Sequence, residues 1–70
     1  MDTMSTKKRE LARKIEQIEN FMDRAKDAKI NELVLHWMYK KEGLEDAFQI
    51  VFGQKYIDYW MEEIAHEYEY

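Results

Sequence analysis

Apolar residues fall along this chain at intervals of three and four. Leu11, Ile15, Ile18, Met22 and Ala25 are separated by 4, 3, 4 and 3 positions, and Phe21 and Ala28 flank them on one side. That spacing is the heptad seam of an amphipathic helix. It predicts a first helix over 6–28, with Ser5 or Thr6 as its N-cap. Ile30, Leu33, Val34, Trp37 and Met38 predict a second over 31–41, which Lys40, Lys41 and Gly43 would end. At 100° per residue the second stripe points about 100° away from the first, so a bend or tight turn is expected between Asp27 and Ile30.

Leu44, Ala47, Phe48, Val51 and Phe52 repeat the pattern over 44–52, and Gly53 follows as a natural stop. Tyr56, Ile57, Trp60, Met61, Ile64, Ala65 and Tyr68 give a last stripe over 54–68. Carried through Gly53 as one helix, that stripe would lie nearly opposite the one before it, which places a break at the glycine. Nothing alternates with period two, so no strand is expected. The pattern predicts an all-α bundle of about four helices, one long and three short, in a single domain over 6–70 after a frayed stretch at 1–5. Trp37 is expected in the core, against Phe48 or Trp60.

The helix lengths carry a further expectation. At 1.5 Å per residue the first helix would be about 34 Å long and the others about 14–21 Å. Partners that short leave part of the seam Leu11, Ile15, Ile18 and Met22 uncovered, which predicts self-association, most simply as a homodimer.

Composition narrows the class. The chain has 70 residues, no Pro, no Cys, two Gly and 14% aromatic residues. It is too apolar and aromatic for disorder and too small for two cores. No apolar run approaches the roughly 18 residues of a membrane span, and the basic stretch near the start has no apolar block after it, so no membrane association and a cytoplasmic location are expected. The net charge of -4 is unevenly placed: residues 1–41 sum to +3 and residues 42–70 to -7.

Candidate chemistry is sparse. Without cysteine or a glycine-rich phosphate loop, and with Thr3, Ser5 and Thr6 the only aliphatic hydroxyls, the chain lacks the usual parts for nucleophilic or nucleotide chemistry. No enzymatic activity and no cofactor are expected. Glu63 and His66 lie one turn apart, as in di-iron bundles, but one such pair is far short of a site; Glu32 and His36 read as a surface pair.

Two patches suggest binding. Lys7, Lys8, Arg9, Arg13 and Lys14 place five positive charges in eight residues, the composition of a nucleic-acid arm, although Glu10 and Glu16 interrupt them. The C-terminal stretch joins aromatic residues to carboxylates. Tyr56, Tyr59 and Tyr70 would supply contact area, and Asp58, Glu62 and Glu63 would attract a basic surface. The leading expectation is therefore a small regulator, adaptor or inhibitor, of the kind found among accessory proteins of phages and mobile elements, docking on a larger and basic protein, itself a nucleic-acid binder in one version. The alternative is a nucleic-acid-binding regulator using the basic start.

Overall fold

The computed structural model describes residues 3–65, with side chains from Ser5 onward. Every element among these residues is helical. Helix α1 (Thr3–Asp27) and helix α2 (Asn31–Phe52) form an antiparallel hairpin, and a short helix α3 (Tyr56–Tyr59) runs directly into a π-helical segment (Trp60–Ile64). The architecture is thus three helices rather than about four. α1 is already helical at Thr3, upstream of the expected cap at Ser5 or Thr6.

Both turns fall where the change of stripe direction requires them. After α1, Lys29 takes φ 58°. The Ile30 amide donates to the Ala25 carbonyl and the Lys29 amide to the Lys26 carbonyl, each at 3.0 Å. This pair is a Schellman stop, with lysine where glycine would be least strained. After α2, Gly53 takes φ 66°, and its amide donates to Gln49 at 2.8 Å.

The expected stop at Gly43 is absent. Glycine ends a helix when it turns left-handed, and Gly43 does not. α2 therefore runs unbroken for 22 residues. It is long enough to cover α1, so the seam does not wait for a second copy. Ile15 and Ile18 are buried within the chain, and Leu11 and Met22 are half-buried. The premise for self-association through Leu11, Ile15, Ile18 and Met22 does not hold.

The core sits where the open end of the hairpin meets α3. Ala12 and Ile15 of α1, Phe48 of α2, and Tyr56, Tyr59 and Ile64 form one buried cluster, edged by Leu11, Leu44, Phe52 and Trp60. The Phe48 ring lies 5.0, 6.0 and 5.5 Å from those of Phe52, Tyr56 and Tyr59. At the other end Phe21 stacks on Trp37 at 5.1 Å, so Trp37 finds its partner on α1 rather than at Phe48 or Trp60.

The last segment corrects its own stripe. An α-helix would bury Tyr56, Ile57, Trp60, Met61 and Ile64 together. Here the Ala65 amide reaches the Trp60 carbonyl five residues back. That wider turn brings Ile64, five residues after Tyr59, under the same core as Tyr56 and Tyr59, where an α turn would bring Glu63; Ile57 and Met61 face outward.

Candidate interaction surfaces

The acidic aromatic stretch divides into inward and outward parts. Tyr56 and Tyr59 are only 3% and 8% exposed, with their rings against Phe48. They hold the segment in place and are not available as contact residues. Asp58, Glu62 and Glu63 are exposed. Tyr70, His66 and Tyr68 lie outside the described residues. In place of the tyrosines, Ile57 and Met61 face solvent at 54% and 62% exposure, one turn apart, with Asp58 and Glu62 in the adjacent row. The sequence held one sign of this: Ile57 and Met61 share one face with four-residue spacing, and Tyr56 and Tyr59 share another.

The C-terminal segment is tied to α1 at two points. Trp60 Nε1 donates to Glu16 Oε2 at 3.1 Å. Lys8 Nζ donates to Gln54 Oε1 at 2.7 Å, and Gln54 Nε2 passes the polarity on to Glu62 Oε2 at 3.1 Å. Lys8 also lies 4.8 Å from the centre of the Tyr59 ring, close enough for cation–π attraction. A member of the expected basic arm thus braces the fold.

The other four basic residues remain on the surface of α1. Arg13 pairs with Glu16 at 3.6 Å and is half-exposed, as is Arg9, while Lys7 and Lys14 are exposed. Lys7 and Lys14 point within about 20° of one another, and Arg9 and Arg13 point well away from them. The five charges therefore form no single stripe.

Farther along the hairpin, Lys41 sits 3.4 Å from both Glu19 and Glu45. Its partial burial would lower the pKa; the two carboxylates outweigh that and hold the ammonium above the ordinary lysine value. Glu32 and His36 are exposed on α2, with the His36 ring 4.9 Å from Trp37. Among the described residues no three His, Asp or Glu side chains gather as metal ligands, and no helix is long and apolar enough to cross a membrane.

No protein-family model, curated protein or solved structure matches the chain.

Proposed function

We propose that this chain is a small, non-catalytic protein–protein interaction module that docks a basic, apolar segment of a larger protein on the outer face of its C-terminal helix. The observation that carries this reading is the exposed pair Ile57 and Met61, bordered by Asp58, Glu62 and Glu63. Large side chains exposed one turn apart on a small domain mark a contact site, and the carboxylates favour a partner of opposite charge. The -7 balance of residues 42–70 gives the same preference over a longer range. The segment is held rigidly from behind by Tyr56, Tyr59 and Ile64, so little ordering opposes binding.

The test is a pull-down from native lysate treated with nuclease. It compares the wild-type chain with an Ile57→Asp/Met61→Asp variant and an Asp58→Asn/Glu62→Gln/Glu63→Gln variant. All five substituted positions lie on the surface, the carboxylate changes keep the side-chain shape, and circular dichroism checks the fold. One stoichiometric protein retained by wild type and lost by both variants is the expected result. Equal capture by the variants, or recovery of nucleic acid alone from untreated lysate, overturns the reading.

A further inference from the structure

The C-terminal segment covers one side of the hairpin. Lys8 and Glu16 of α1 meet Gln54 and Trp60, so the segment packs on the side to which these two residues point. Another row of α1, Lys7, Lys14 and Phe21, repeats every seven residues. At 100° per residue it points about 160° away from Lys8 and Glu16, toward the opposite side. On α2 the matching row is Leu33, Lys40 and Ala47, also seven apart. Phe21 reaches Trp37 across the gap at 5.1 Å. Between the two rows Ile18, Trp37, Gly43 and Leu44 line an open groove of about 340 Å³, with Tyr39 and Lys40 at its edge. Leu33 and Val51, 38% and 58% exposed, extend the apolar surface along α2 in both directions.

The edges of this groove are cationic. Lys7 and Lys14 stand exposed on the α1 side and Lys40 on the α2 side, its ammonium 5.7 Å from the centre of the Trp37 ring. Among the described residues none of these three has an ion-pair partner, whereas the neighbouring Lys41 has two. The acids of α2 point elsewhere: Glu32, Glu42 and Asp46 lie about 80° or more from Lys40 around the helix. Glu10, about 40° from Lys14, is the one acid near the α1 edge. Asp58, Glu62 and Glu63 belong to the C-terminal segment, across the hairpin. The net charge of -4 therefore does not describe this surface.

We infer that the groove takes an acidic amphipathic helix of another protein. An apolar floor between two helices is where a third helix buries its apolar stripe. The lysines set which helix that is. Lys7 and Lys14 are about 10 Å apart along α1, two turns of a helix lying alongside, so carboxylates seven apart on the partner meet both. Lys40 faces the same partner from the other edge. This surface is separate from the Ile57–Met61 face and prefers the opposite charge, so either proposal stands or falls alone.

Three helical peptides test the inference. They share leucines at spacings of three and four and differ only in the flanking residues, which are Glu, Gln or Lys. Each is titrated into the isotope-labelled full chain and followed by nuclear magnetic resonance. The Glu-flanked peptide is expected to shift the Trp37 indole and Gly43 amide signals with micromolar affinity. It should bind there at least about tenfold more tightly than the Lys-flanked peptide, and more weakly as salt is raised. Lys14→Glu/Lys40→Glu is expected to weaken that binding at least about tenfold. Lys55→Glu, an exposed change away from the groove, should alter it less than about twofold, and Glu10→Lys should tighten it. Circular dichroism checks that each variant keeps its helices. A Glu-flanked peptide that leaves both signals in place overturns the inference. So does equal binding of the three peptides at these signals, or binding that survives the double substitution. Movement of the same signals when the chain alone is diluted puts a second copy in the groove and overturns it as well. Signals from Ile57 and Met61 report on the other face, which separates the failure of one proposal from that of the other.

Discussion

Lys29 is the one non-glycine residue with positive φ among those described, and its left-handed backbone costs about 1 kcal/mol. Replacing it with glycine keeps the Schellman hydrogen bonds and removes the strain. Lys29→Gly should raise stability by about 0.5–1 kcal/mol, read as a higher urea midpoint with unchanged slope. Gly53→Ala should lower it by about 1 kcal/mol for the mirrored reason. Lys41 gives a pH dependence. Its pKa is raised in the folded chain, so its contribution is complete below the unfolded lysine value of about 10.4 and fades as pH climbs through the folded value. The gap in urea midpoint between wild type and Lys41→Met should hold from neutral pH to about pH 9 and narrow in stronger alkali.

At the scale of elements, periodicity located the helical stripes and both turns because those depend on spacing and on direction around the helix. It misjudged Gly43 because a glycine carries no mark of whether its φ is positive. That single position turned one 22-residue helix into two short ones and left the α1 seam looking uncovered. The π-helical segment was equally hidden. The sequence stripe places Ile57 and Met61 inside, where they are exposed, and an α period carried on from Tyr59 would bring Glu63 rather than Ile64 to the core. The acidic rim at Asp58, Glu62 and Glu63 was legible from charge alone, whereas its apolar centre was not. Trp60→Phe tests what anchors this element. Losing the indole hydrogen bond to Glu16 should cost about 1 kcal/mol and speed amide exchange over residues 60–64 more than over α1.

For the whole molecule, stability rests on a small cluster at one end. A chain of this length has about 4–10 kcal/mol in all. Phe48 is fully buried and touches three other rings, so Phe48→Ala should remove about 3–5 kcal/mol, a third or more of the total, seen as a large fall in the urea midpoint. The far end relies on Phe21 and Trp37 and the ion pairs of Lys41, which bury much less.

The turn between α1 and α2 also orders events in time. Phe21 meets Trp37, Glu19 meets Lys41, and Lys8 meets Gln54, each pair farther along the sequence from the turn than the last. Such contacts close like a zipper, because every pair shortens the loop that the next must close. Folding is therefore expected to begin at residues 28–30, with the Phe48 cluster forming last. A strained residue at the starting point acts mainly on the rate of assembly. Relief of that strain at Lys29 should appear as faster refolding, with the unfolding rate nearly unchanged.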